Sequence, residues 1–195
     1  MTPFILASGS AIRRQILENA GVPFSVQTSG VDEEAIKQGW SGDDVDNLAL
    51  ELANAKAKAV EANHEVLVLG ADQILSLDGQ IYDKARSVEE ARRRLKALRG
   101  TTHILHSGLA AYRAGQQIWS YTQQSRLSVR NFSDAFLDTY MARAGDELTA
   151  SVGAYAFEGI GAQIFDRIEG DYHAILGLPL LPVLGLLRRE GVIAT

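Results

Sequence analysis

Cysteine is absent from the sequence. No disulfide framework, cysteine-ligated zinc, iron–sulfur cluster or thiol nucleophile can therefore be built. An excess of positive charge is also missing: 24 acidic residues against 19 basic ones give a formal net charge of −5. A grip on nucleic acid duplexes needs a basic face that displaces counterions, so none is expected, although a local basic pocket for a small polyanion stays compatible. Long apolar runs are scarce. The longest uncharged stretch, Ala174 to Leu187, is broken by Gly177, Pro179, Pro182 and Gly185. It is too short to span a bilayer and reads as a buried terminal helix. Residues Met1 to Leu6 lack the basic start and long apolar region of a signal peptide. The expectation is a soluble, cytoplasmic protein with no membrane partner, for which a homodimer is allowed. The histidines include no HExxH pair, and His103 and His106 point to opposite faces of a predicted strand, so no zinc site is expected. Neither a P-loop nor a Gly-x-Ser-x-Gly elbow occurs.

What is present suffices for a folded domain. With 195 residues, 46% hydrophobic and 22% charged, one domain over residues 1–195 can bury a substantial core. Phe4-Ile5-Leu6-Ala7 predicts a buried strand. Ile12, Ile16, Leu17 and Ala20 follow at helical spacing, with Gly21 as the stop. A short strand is expected within 22–31. A second helix is predicted over Asp44 to Glu61, with Leu48, Leu52, Ala55 and Ala59 on one face. Val66-Leu67-Val68-Leu69 is the pattern of a central strand buried on both faces. Ser87-Val88-Glu89-Glu90 is a capping box that opens a helix closed by Gly100. Strands are expected near 103–113, 117–122 and 125–130, with a hairpin turn at Ala114-Gly115. Ser133 caps a further helix that ends at Gly145. Residues 151–165 read as strand, Gly-rich loop, strand, and the last helix starts near Pro179. The order predicts an α/β fold with a mixed twisted central sheet and flanking helices.

Four constellations carry chemistry. Ser8-Gly9-Ser10-Ala11-Ile12-Arg13-Arg14 sets two arginines in the first turn of a helix, where the exposed N–H groups and the dipole already carry positive charge. A docked phosphate removes that conflict; arginines that point into solvent remain the alternative. Gly70-Ala71-Asp72-Gln73 sets a carboxylate past the end of the buried strand, where open α/β sheets place ligands. It suits a metal ligand or a general base, or else a turn aspartate. Asp83-Lys84 offers an ammonium that reaches the same region or is solvated, and Lys56 has the same standing. Asp32-Glu33-Glu34 is either a metal ligand or a solvated face. Finally, Gly153-Ala154-Tyr155-Ala156-Phe157-Glu158-Gly159-Ile160-Gly161 permits close backbone approach to a ligand or a sharp turn. The face of Arg92, Arg93, Arg94, Lys96 and Arg99 is expected to be solvated.

Together with Val31-Asp32-Glu33, Leu52-Ala53-Asn54-Ala55-Lys56-Ala57, Phe165-Asp166-Arg167-Ile168-Glu169-Gly170-Asp171-Tyr172 and Gly177-Leu178-Pro179, these motifs resemble the Maf family of nucleotide pyrophosphatases. Each motif alone is weak; their joint order along the whole chain is specific. The resemblance implies two lobes around a nucleotide cleft, a fold related to inosine triphosphate pyrophosphatases, and hydrolysis of a nucleoside triphosphate to monophosphate and pyrophosphate with magnesium or manganese. It implies Asp72 as general base, Ser8, Arg13, Arg14, Lys56 and Lys84 as phosphate contacts, and Glu33 with Asp72 near the metal. Members preferring dTTP and UTP usually carry arginine, threonine and glutamine where this chain has Ile12, Gln73 and Glu158. Gln73 and Glu158 look like the subgroup acting on 7-methyl-GTP, which often has tryptophan at position 12. The alternatives are a dTTP/UTP pyrophosphatase and a non-catalytic nucleotide-binding regulator of cell division.

Overall fold

A computed structural model describes residues 2–195. The elements are β1 (Phe4–Ala7), α1 (Ala11–Asn19), β2 (Ser25–Val26), α2 (Glu33–Gly39), α3 (Val45–Lys58), β3 (Leu67–Leu77), β4 (Gln80–Tyr82), α4 (Val88–Leu98), β5 (Thr102–Arg113), β6 (Gln116–Val129), α5 (Asp134–Ala144), α6 (Glu147–Ala150), a 3-10 turn (Ile160–Ile164), β7 (Phe165–Glu169), α7 (Tyr172–Ile175) and α8 (Leu180–Arg189). The fold is α/β with a mixed seven-stranded sheet in the order β2-β1-β3-β5-β6-β7, and β4 pairs with β3. β1 is parallel to β2 and β3, whereas the β3–β4 and β6–β7 pairs are antiparallel. Among the described residues no helix is long and apolar enough to cross a membrane. The chain divides into two compact units. The first takes residues up to Gln73, Ser107–Gln123 and Tyr172–Thr195; the second takes Ile74–His106 and Gln124–Asp171.

In the first unit, alternation along the strands decides what each face of the sheet meets. Leu6, Leu69, Ala71, Leu109 and Ala111 share a core with Ile16 and Leu17 of α1 and Val183, Leu186 and Leu187 of α8. The opposite face carries Gly70 and Gly108, and α3 lies directly on them. A Cβ on Gly70 would stand 2.0 Å from the Ala53 carbonyl oxygen, and one on Gly108 would stand 2.3 Å from the Ala49 carbonyl carbon. Glycine at both positions therefore sets how closely the helix backbone approaches the sheet. Asp44 opens α3 by accepting from the Asp46 and Asn47 N–H groups, which satisfies donors that a helix start leaves unpaired.

In the second unit, Ser87 caps α4 by accepting from the Glu90 N–H at 3.2 Å. The returning Glu90 carboxylate takes the Arg86 N–H rather than that of Ser87, a variant of the expected box. α4, α5 and α6 pack on one another. Salt bridges from Arg92 to Asp138 and from Arg99 to Asp134 tie α4 to α5. His103, on β5, is fully buried, and its Nε2 lies 2.7 Å from the Tyr155 hydroxyl. The Tyr155 ring meets Phe165 edge-on at 4.8 Å.

Three expectations about local structure are corrected. The central strand does not stop at Leu69 but continues to Leu77, because it gains the antiparallel partner β4 at Leu75–Leu77 after β1 has ended opposite Gly70. The strands expected near 117–122 and 125–130 are one continuous β6. No strand forms at 151–157: the Ser151 hydroxyl bonds both the N–H and the carbonyl of Tyr155, and Ala154 sits at φ 59°, so the backbone turns on itself. Asp32-Glu33-Glu34 begins a helix, α2, with Asp32 accepting from the Ala35 N–H at 3.0 Å.

Burial pushes the pKa of His103 down to about 4. In the unfolded chain it titrates near 6.5, so the unfolded state binds more protons between those values and stability rises with pH across that window. Acidification from about pH 6.5 to about pH 4 should remove on the order of 3 kcal/mol through this one group. Urea unfolding should show that His103→Gln loses much more stability relative to the native sequence at pH 7 than at pH 4.5. An equal loss at both would exclude His103 as the source.

Candidate active site

The site grows from the point where β1 ends. Its last residue, Ala7, pairs with Gly70, so β3 runs on past β1, and Asp72 follows within β3 rather than after its end. Strand alternation turns Asp72 to the Gly70 face, toward α3, and Gln73 to the other. Lys56 of α3 meets Asp72 there: its Nζ lies 2.6 Å from Asp72 Oδ1 and 2.8 Å from Glu33 Oε1. One ammonium thus holds carboxylates from α2 and β3. Lys56 and Asp72 are buried, whereas the Glu33 side chain is 42% exposed. Burial of two charges is tolerable only when they are paired.

Arg13 joins the same cluster from α1. It is buried, and it donates from Nε to the Gly177 carbonyl at 2.8 Å and from Nη1 to the Ala71 carbonyl at 2.7 Å and Ser8 Oγ at 3.1 Å. Burial lowers its pKa from the usual guanidinium value, while the negative charges of Asp72 and Glu33 push it back up. The bonds from Nε and Nη1 leave the Nη2 protons. Ser8 Oγ also accepts from the Ser10 N–H at 3.3 Å. The Ser10 side chain makes no capping bond, and the first turn of α1 carries no acidic residue.

The adjacent arginines are split by helix geometry: Arg13 faces inward and Arg14 is exposed. Ile12 is half-buried and packs against the α1–α8 core. Gln73 spends its amide N–H groups on the Ala174 carbonyl at 2.7 Å and, more weakly, on Ile175, which leaves its oxygen for other contacts. Arg13 and Gln73 together fasten the α7–Gly177 segment, and Gly177 sits at φ 105° with Arg13 Nε 3.5 Å from where a Cβ would be. Ser8, Ile12, Arg13, Arg14, Glu33, Lys56, Asp72 and Gln73 all belong to the first unit; Lys84 and Glu158 are exposed residues of the second.

Arg94 departs from the solvated face expected for the arginine-rich side of α4. It is buried and donates from Nη1 to the carbonyls of Asp83 and Val152. The signal was its spacing: it lies three residues after Ala91 and four before Leu98, on the apolar stripe.

Glu33 and Asp72 are oxygen donors converging on a cation, Lys56. Such a pair fits magnesium or manganese, hard ions that take one or two carboxylates and complete their shell with water and phosphate oxygens. Among the described residues there is no group of three or more His, Cys, Asp or Glu side chains that could hold a metal ion.

A family model described as "Maf-like protein" matches residues 3–190. The chain belongs to the Maf family. A curated relative from Maricaulis maris, named nucleoside triphosphate pyrophosphatase, is 55% identical over 99% of both chains. A relative from Rhizobium meliloti, named 7-methyl-GTP pyrophosphatase, is 43% identical over 97% of this Maf chain and 96% of its own. Among solved structures, a HAM1 protein from Coxiella burnetii matches 68% of this chain and 75% of its own at 14% identity and a TM-score of 0.40.

Removing Lys56 from this Maf protein leaves a buried carboxylate without its counter-charge, a change that costs about 3–5 kcal/mol when one partner of a buried pair is lost. Lys56→Met should show a loss of that order in urea unfolding, and the same substitution in an Asp72→Asn background should cost clearly less. Additive losses would mean that the ammonium and the carboxylate are not coupled.

Proposed function

We propose that the chain hydrolyses a nucleoside triphosphate to the monophosphate and pyrophosphate, with 7-methyl-GTP as its preferred substrate. The observation that carries the reaction is the grouping of Asp72, Lys56, Glu33 and Arg13 beside the uncapped start of α1. A water oxygen forms a bond to the α-phosphorus, the bond from that phosphorus to the bridging oxygen breaks, and pyrophosphate leaves. Asp72 takes the proton from the water. Lys56 engages Asp72 Oδ1, which orients the carboxylate and leaves Oδ2 for that proton. Arg13, already fixed by its carbonyl acceptors, offers Nη2 as a rigid phosphate donor, and the first-turn N–H groups of α1 add the helix-end attraction for anions. Arg14 and Lys84 supply further positive charge in a protein that is negative overall. Glu33, which Lys56 engages only through Oε1, would hold magnesium or manganese beside Asp72, and the ion would supply charge neutralisation at the phosphates.

The substrate reading rests on Glu158. A purine methylated at N7 carries positive ring charge, which a carboxylate stabilises, whereas a carboxylate desolvated against a neutral pyrimidine is left unpaired. Ile12 is aliphatic and supplies no aromatic face for the cationic base; its half-buried side chain packs against the core. Likeness to the Rhizobium meliloti relative supports the same substrate.

Asp72→Asn, in which Lys56 keeps Glu33 as its partner, should still fold and should lower kcat by about 10²–10⁴-fold, the usual scale for loss of a general base; near-native turnover in the folded variant would remove Asp72 from the mechanism. Lys84→Ala should lower kcat/KM for any triphosphate more than Arg93→Ala does. Glu158→Gln should move the kcat/KM ratio toward dTTP and UTP. If the native enzyme already prefers those pyrimidines, the substrate reading is wrong and the pyrophosphatase reading stands.

A further inference from the structure

α4 ends its first turn with Glu90 and carries Arg94 one turn later. Arg94 is 6% exposed, on a helix whose neighbouring Arg93 lies in solvent. Both terminal nitrogens of its guanidinium are engaged with the chain around it. Nη1 donates to two backbone carbonyls, that of Asp83 and that of Val152. Nη2 lies 3.3 Å from Glu90 Oε1, and the group stands 4.8 Å over the Tyr82 ring. Glu90 uses its other oxygen on the Arg86 N–H at 2.9 Å. Asp83 immediately precedes Lys84, and Val152 opens the turn that leads to Glu158. Because a single nitrogen serves both carbonyls, those two segments cannot lie farther apart than two hydrogen bonds allow.

The far side of the Val152 segment is equally constrained. Tyr140 donates to the Ala154 carbonyl at 3.2 Å, and the Tyr155 hydroxyl meets buried His103. Gly153 lies under the Tyr155 ring, where a Cβ would come within 2.1 Å of a ring carbon. The segment that leads to Glu158 is thus held at Val152, Ala154 and Tyr155, and Arg94 ties it to the Lys84 loop. Lysine could not replace it there: an ammonium lacks the planar fork that reaches Glu90 and two carbonyls at once.

We propose that Arg94 is a positioning residue that fixes the spacing between the Lys84 loop and the Glu158 loop, so that phosphate contact and base selection act in concert. The inference rests on the reading of Lys84 as a phosphate contact and Glu158 as the base-selecting residue. Arg94 itself touches no substrate; its effect passes through the two backbone segments it joins.

The absence of native cysteine lets spin labels be attached only where cysteines are introduced. With labels at Arg86→Cys and Glu158→Cys, the full-length chain should give a narrow distance distribution that broadens on Arg94→Met and not on Arg93→Ala. Should Arg94→Met fail to fold, Arg94→Lys is read in the same way. In kinetics, Glu158→Gln should change the 7-methyl-GTP to dTTP ratio of kcat/KM in the native background, and that change should shrink roughly tenfold when Arg94 is Met, as coupled neighbours do. A general loss of stability would lower activity on both substrates without removing this coupling. An unchanged distance distribution, or an undiminished effect of Glu158→Gln, overturns the role of Arg94. If Glu158→Gln has no effect even in the native background, the substrate reading fails, and the label distances alone decide for or against Arg94.

Discussion

The Lys56 ammonium, held between Glu33 and Asp72, is the constraint on which the site depends. Three elements meet at that one cation: α2 brings Glu33, α3 brings Lys56 and β3 brings Asp72. The meeting requires α3 to lie close on the sheet, and Gly70 and Gly108 make that approach possible. Backbone packing and site electrostatics are therefore one problem. A side chain at either glycine would lift the helix and draw the ammonium away from a carboxylate that is too buried to be solvated by water instead.

Arg13 adds a second positive centre to the same group of charges. Its place is fixed by backbone carbonyls from β3 and from the turn after α7, so its charge is positioned before any ligand arrives. Preorganised donors of this kind stabilise developing phosphate charge without reorganising at the moment of reaction. The two carboxylates keep this corner of the molecule from being an indiscriminate anion trap. Arg13 and Lys56 offset Glu33 and Asp72, and a triphosphate accompanied by a divalent cation matches such a mixed surface better than a bare anion does.

Much of this was legible because local chemistry declared it. Ser87 and Glu90 opened α4, Ser133 capped α5, and Ala114-Gly115 made a hairpin turn with both residues at positive φ, as an I′ turn requires. Asp72 and the residues of the first helix turn stood out because charged side chains interrupt apolar patterns. The extension of β3 past Gly70 was not legible, since it depends on β4, a strand of three residues whose pairing is tertiary. Gln123-Gln124 hid the continuity of β6 because polar residues there read as a break. The partnership of Lys56 with Asp72 and Glu33 could not be read from spacing, because a lysine on a helix is ordinarily solvated and only the close packing of α3 turns it inward. Arg94 was hidden in the same way, among arginines that do face water.

Water labelled with oxygen-18 offers the most direct measurement of the central claim. If the solvent oxygen attacks the α-phosphorus, a single turnover in labelled water should place the label in the nucleoside monophosphate and leave the released pyrophosphate unlabelled. Label in pyrophosphate, or release of inorganic phosphate with a nucleoside diphosphate, would contradict it.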